Sequence, residues 1–167
     1  MASSREKKDS ILPMGQSFGN NLRHVNRLIQ RDLGVRIASL GLSIGQWYAL
    51  RTLWHSDGLT QIELAQKSGV AGPAMVIAVR SLLAMGLVAR RRHPSDLRKY
   101  VISLTEKGRG LEIPALQAAI DANNSALAGV PEEDIAVCMR VLQLALSNLQ
   151  DTGISIDTVD EVDAMIE

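Results

Sequence analysis

Between Ser56 and Leu104 the chain carries helix starts, helix stops and strand-like alternation so closely spaced that few folds can accommodate them. Thr60-Gln61-Ile62-Glu63 has the form of a capping box, in which the hydroxyl accepts the backbone N–H three residues on and the glutamate reaches back. Leu64 and Ala65 continue this helix for about two turns, and Gly69 ends it. After the tight Ser68-Gly69-Val70 turn, Pro73 suits the first position of a longer helix running to Met85, which Gly86 closes in a left-handed conformation. Short helix, glycine turn and longer helix form the outline of a helix-turn-helix. Two runs follow, Leu87 to Arg92 and Lys99 to Leu104, in which Tyr100, Ile102 and Leu104 alternate with Val101 and Ser103. They predict a β-hairpin with a charged tip, His93-Pro94-Ser95-Asp96-Leu97-Arg98.

The flanking segments are helical by their period. From Phe18 to Leu40, the residues Phe18, Leu22, Val25, Ile29, Leu33, Ile37 and Leu40 advance by threes and fours, one apolar stripe on a long first helix. Ser43 offers a cap for a second helix with Ile44, Trp47, Leu50 and Trp54 on its inner side, ended by Ser56-Asp57-Gly58. Downstream, Thr105 caps a helix that Pro114 should kink after about two turns and that continues through Leu116, Ile120 and Leu127 to Gly129. Pro131-Glu132-Glu133-Asp134 places acids in the first turn of a last helix, whose face is Ile135, Cys138, Leu142, Ala145 and Leu149. At 167 residues the chain makes one domain, yet these long apolar stripes exceed what a small winged helix can cover, so a second copy is expected to cover them. The expected organisation is a flexible arm over 1–14, helical dimerisation segments over 15–42 and 105–150, a winged helix-turn-helix over 43–104 and an acidic tail over 151–167. The fold class is mainly α with a small β-hairpin wing.

Charge is distributed unevenly. The chain holds 18 Lys and Arg against 18 Asp and Glu, but six of the acids lie in residues 151–167, which contain no base; residues 1–150 therefore carry a net +6. Arg90, Arg91, Arg92, Arg98 and Lys99 lie close together with Asp96 alone to oppose them, a density suited to a polyanion. The single cysteine, Cys138, leaves no intrachain disulfide framework and has no metal-ligand neighbours in sequence; no metal or cofactor is expected. The basic, polar N-terminus leads into no apolar run of signal-peptide length, and no run is long enough for a bilayer, so a cytoplasmic protein without a membrane partner is expected. An enzyme is not expected either: His24, His55 and His93 fall on three different elements without an acid or thiol motif, and glycine-rich phosphate loops are absent.

Three stretches, Gly86-Leu87-Val88-Ala89-Arg90, Asp96-Leu97-Arg98 and Leu104-Thr105-Glu106-Lys107-Gly108-Arg109, resemble in order and spacing the signature of MarR-family transcriptional regulators. Helix order agrees with that family over roughly residues 15–150. The resemblance implies a triangular homodimer with interlocked terminal helices and two winged-helix lobes that reach adjacent major grooves of palindromic double-stranded DNA. It implies a repressor that a small effector, an aromatic acid or phenolic compound, releases from DNA. It also implies that Arg98 enters the minor groove, oriented by Asp96, because a narrow minor groove concentrates negative potential that a pre-oriented cation can use. Of Arg90, Arg91 and Arg92, strand alternation lets two at most reach the same phosphates, with Lys99 nearby.

The longer helix of the helix-turn-helix departs from the family. Ala71, Gly72, Ala74, Val76 and Ile77 stand where relatives usually carry Ser, Thr, Arg or Gln, and Arg80 and Ser81 come later. Two readings stay open. In one, Gly72, Pro73 and Ala74 let the backbone approach phosphate, Ala74 or Ile77 packs on thymine methyls and Arg80 assists. In the other, the helix faces protein or ligand, and the dimer is an interaction or ligand-binding module with weak DNA binding. Effector contacts are sought in His24, Arg27 and Arg31 of the first helix and Trp47, Tyr48 and Arg51 of the second, since cations pair a carboxylate and rings pack an aromatic body. Trp47 fits the plain core better than a ligand contact, whereas His24, beside Val25 of the buried stripe, fits a structural role as well as a ligand contact or a pH-sensing group. Some family members sense oxidants through a cysteine near the N-terminus; this chain has none there, and Cys138 reads as core or dimer seam.

Overall fold

A computed structural model describes residues 13–92, 96 and 98–152 of the chain; the N-terminal arm, most of the hairpin tip and nearly all of the acidic tail lie outside them. After a 3-10 turn at Met14–Gln16, the first helix, α1, spans Phe18–Ala38 and is capped by the Ser17 hydroxyl. Helix α2 spans Ile44–His55 behind a full capping box: the Ser43 hydroxyl accepts the Gln46 N–H, and the Ser43 N–H donates to Gln46 Oε1 at 2.7 Å. Helix α3, Gln61–Ser68, starts on the expected Thr60–Glu63 box and stops at Gly69, whose φ of 63° is the left-handed turn that the sequence required. Helix α4 covers Gly72–Ala84, and strands β1 (Val88–Arg92) and β2 (Tyr100–Leu104) pair antiparallel, with Val88 opposite Leu104 and Arg92 opposite Tyr100. The remaining helices are α5, Glu106–Gly110; α6, Glu112–Ala126; and α7, Glu132–Asp151.

The core forms where α2, α3 and α4 meet the base of the hairpin. Trp47, Leu50, Leu53, Leu64, Met75, Val79, Leu82 and Leu87 are buried together, joined from outside by Leu33 and Ile37 of α1 and by Ala115, Ala119 and Ala122 of α6. The alanines are what let α6 lie close along α1. A third short strand contact completes the wing base: the Ile102 N–H donates to the Leu59 carbonyl at 2.7 Å.

Two expectations need correction. Strand β2 does not alternate in burial: Val101 and Ser103 are buried as well as Ile102 and Leu104, with Gly58 lying beside Ser103, while Tyr100 is the exposed member. The helix after Thr105 does not kink beyond Pro114 but breaks ahead of it at Leu111, between α5 and α6. Proline at 114 has no N–H for the Gly110 carbonyl and its ring crowds it, so the helical ladder restarts one turn earlier.

Helix α7 contributes no buried residue to the chain, and Val137, Met139, Leu144, Leu146 and Leu149 are exposed on it. The first half of the α1 stripe, Phe18, Leu22 and Val25, is exposed too. Cys138 is exposed, so within one chain it is not a core residue. Among the described residues no helix is long and apolar enough to cross a membrane, and no group of His, Cys, Asp or Glu could hold a metal ion.

Candidate nucleic-acid interface

The helix-turn-helix is fixed from beneath by apolar packing and by one polar tie. Met75, Ala78, Val79 and Leu82 turn inward from α4, and Gln46 Nε2 of α2 donates to the Ser81 hydroxyl at 2.7 Å. Gln46 therefore serves both the α2 cap and the α4 anchor. What α4 presents outward is Gly72, Pro73, Ala74, Val76, Ile77 and Arg80, all exposed, with Ile77 at 71%. Its N-cap is Ala71, which has no side-chain acceptor for the first-turn N–H groups.

The wing stands beside this face. Asp96 Oδ1 accepts from the Arg98 backbone N–H at 3.1 Å and from Arg98 Nε at 3.5 Å, while Lys99 Nζ lies 4.0 Å from Oδ2. The Arg98 side chain is 93% exposed against 29% for Asp96, so the aspartate is the fixed partner and the guanidinium extends into solvent. His93, Pro94, Ser95 and Leu97 of the expected tip lie outside the described residues.

Strand geometry separates the three consecutive arginines. Arg90 and Arg92 project to the Tyr100 side of the hairpin, their guanidinium carbons 3.8 and 4.8 Å from its ring centroid, and Arg91 falls on the other face, opposite Val101. Sequence reading missed Tyr100 as this platform. The signal was its register opposite Arg92, which alternation alone does not supply. Between the α3 start, the C-terminal half of α4 and the wing lies a groove of about 610 Å³ bordered by Thr60, Ile62, Leu83, Arg90, Arg98 and Tyr100.

The six candidate effector residues do not come together. Trp47 is 1% exposed, edge-on to Trp54 with ring centroids 5.8 Å apart, and Arg51 sits over its ring at 5.5 Å. Tyr48 and Arg51 open instead onto a groove of about 540 Å³ shared with Thr52, His55, Lys67 and Ser68. A smaller cavity of about 310 Å³ joins Arg51 and His55 to Trp54, Glu112 and Leu116. Neither takes in His24, Arg27 or Arg31 of α1; there His24 is half-buried with Arg27 Nη2 at 3.3 Å from its Nδ1, and Arg31 is exposed.

Known proteins share both sequence and shape with this chain. A profile described as the MarR family matches residues 42–100, from the residue before the α2 cap to the first residue of β2. An HTH-type transcriptional repressor of Mycobacterium tuberculosis, Rv2887, is 32% identical over 118 residues, covering 70% of this chain and 85% of the relative. The chain belongs to the MarR family. Among solved structures, transcriptional regulator PA3341 superposes with a TM-score of 0.71 at 35% identity, covering 81% of this chain and 99% of that one. A MarR transcriptional regulator from Methanosarcina mazei gives 0.73 at 25% identity, over 80% and 96% of the two chains. Rv2887 in complex with salicylic acid gives 0.66 at 29% identity, over 77% and 96%. This MarR-family chain is accordingly a winged-helix transcriptional regulator, and its relatives are regulators rather than enzymes.

Proposed function

We propose that the protein is a homodimeric repressor that binds palindromic double-stranded DNA and is released from it by a small aromatic acid. The observation that carries this reading is the wing: Arg98 reaches into solvent from an anchored Asp96, beside Arg90 and Arg92 on Tyr100 and next to the outward face of α4. In this reading Arg98 enters the minor groove, Arg90, Arg92 and Lys99 meet phosphates, and α4 lies in the major groove with Gly72, Pro73, Ala74, Ile77 and Arg80 toward the DNA. The apolar faces of α1 and α7 support a dimer, which places two lobes on successive turns of the duplex. Residues 43–104 then form the DNA-binding unit, and 15–42 with 105–150 the dimer scaffold.

The effector class rests on a relative that binds salicylic acid and on the cations and rings around Arg51. A carboxylate pairs with Arg51 or Lys67 while Tyr48 packs the ring, and His24, Arg27 and Arg31 join only by way of a second chain. Fluorescence anisotropy against the DNA upstream of its own coding region, at two salt concentrations and beside a scrambled duplex, tests the core of this reading. Selective binding that weakens steeply with salt is expected. The exposed Ile77 favours a second reading, a dimer that docks protein through α4; salt-insensitive binding, or none to either duplex, would select it.

A further inference from the structure

The outward face of α4 offers a restricted chemistry. Pro73, Ala74, Val76 and Ile77 are apolar and exposed, and Arg80 is exposed beyond them. Ser81, the helix's one hydroxyl, is half-buried and occupied by Gln46. Helix α4 therefore has no free amide, carboxylate or hydroxyl side chain. In the major groove adenine is read by bidentate amides and cytosine by an acceptor carboxylate, whereas guanine is read by guanidinium donors and thymine by apolar contact with its 5-methyl group. Only the last two means are present on this helix.

An apolar helix face can equally dock protein, but the surrounding charge selects the occupant. Arg80 lies on the face itself, Arg90, Arg92, Arg98 and Lys99 lie on the adjoining wing, and residues 84–104 contain a single acid, Asp96. An apolar strip framed by cations fits the methyl-studded, phosphate-walled groove of a duplex.

We propose that α4 reads thymine 5-methyl groups through Ile77 and Ala74 and guanine through Arg80, so that selectivity within each half-site depends on methyl groups. This rests on the DNA-binding reading above. Removing one contacted methyl is expected to weaken binding roughly three- to fourfold, the worth of one buried methyl-sized group.

The test begins with the full-length protein and the duplex it recovers from a random double-stranded pool. Each thymine is replaced in turn by deoxyuridine, which deletes the methyl and keeps every base-pairing group. Loss at one or two thymines per half-site is expected, with 5-methylcytosine bound better than cytosine at the same positions. Ile77→Ala, at a position too exposed to matter for folding, should lose the deoxyuridine penalty at the thymine that Ile77 contacts and keep it at the one that Ala74 contacts. Arg98→Ala should weaken both equally and preserve their ratio. Salt-sensitive, selective binding with no cost from deoxyuridine at any position overturns methyl reading and leaves DNA binding intact. Failure to recover any salt-sensitive duplex overturns both.

Discussion

The Cα of Gly108 lies so close to the carbonyl oxygen of Leu87 that a Cβ there would overlap it. Around this contact the family motif residues close on one another. The Thr105 hydroxyl donates toward the carbonyls of Gly86 at 2.7 Å and Leu87 at 3.1 Å, the Thr105 N–H donates to Leu87, and the Gly108 N–H donates back to the hydroxyl. Trp54 Nε1 then donates to the Gly108 carbonyl at 3.1 Å. The residues that carry the family resemblance at this end of the wing thus act structurally, fastening the end of β2 to the start of β1.

Gly108→Ala is therefore expected to destabilise the protein by about 3 kcal/mol, the upper part of the overpacking range, because the obstacle is backbone and cannot swing aside. Gly72→Ala provides the contrast. A methyl there meets no atom within 4 Å, and stability should hold or rise by up to ~1 kcal/mol. Urea unfolding of both variants checks the pair, and similar losses at the two glycines would refute the contact argument.

Leu146 projects from α7 and is 53% exposed in the single chain. Leu146→Glu should cost a lone chain within ~0.5 kcal/mol, as surface substitutions do, yet place a charge in any face shared with a second copy. Sedimentation is expected to show the wild type as a dimer at micromolar concentration and the variant as a folded monomer with much weaker DNA binding. A wild-type monomer under those conditions removes the two-lobed mode of binding.

The sequence made helix ends legible because caps are local chemistry: Ser43, Thr60, Gly69 and Gly86 each act on residues within a few positions. Contacts that join distant segments were not legible. Asp57, read as part of a turn, accepts the N–H groups of Gly58 and Leu104 and pairs with Arg109, linking the end of α2 to β2 and α5. Gln46 gave no hint of Ser81, and the break at Leu111 lies ahead of the proline that causes it. The ligand grooves were least legible, since their walls combine residues from α2, α3 and α6 whose juxtaposition no periodicity encodes.

Tyr100 supports two guanidinium groups on the exposed side of the hairpin. Tyr100→Phe keeps the ring and is expected to retain DNA affinity. Tyr100→Ala frees both arginines to sample more rotamers, with an expected loss of about 0.5 to 1 kcal/mol for each exposed cation–π contact, read as a several-fold weaker anisotropy midpoint. Equal behaviour of the two variants would remove the ring from the account.

Asp96 and Arg98 make the remaining prediction, in which affinity and stability must separate. Their ion pair is long and its guanidinium almost fully solvated, so breaking it should cost folding at most about 1 kcal/mol. If the guanidinium sits in a minor groove, its removal forfeits a contact concentrated by the groove's potential. Arg98→Ala should then weaken operator binding at least tenfold, lower the slope of log K against log salt by about 1, and leave thermal stability and the dimer unchanged. Asp96→Ala keeps the cation but releases its anchor, and the loss should be smaller with the salt slope preserved, because the charge still reaches phosphate after paying for its own orientation. Measuring both variants at several salt concentrations resolves the roles: an Arg98→Ala protein that binds like wild type places the reading elsewhere on the surface, and an Asp96→Ala protein that binds like wild type removes the aspartate from orientation.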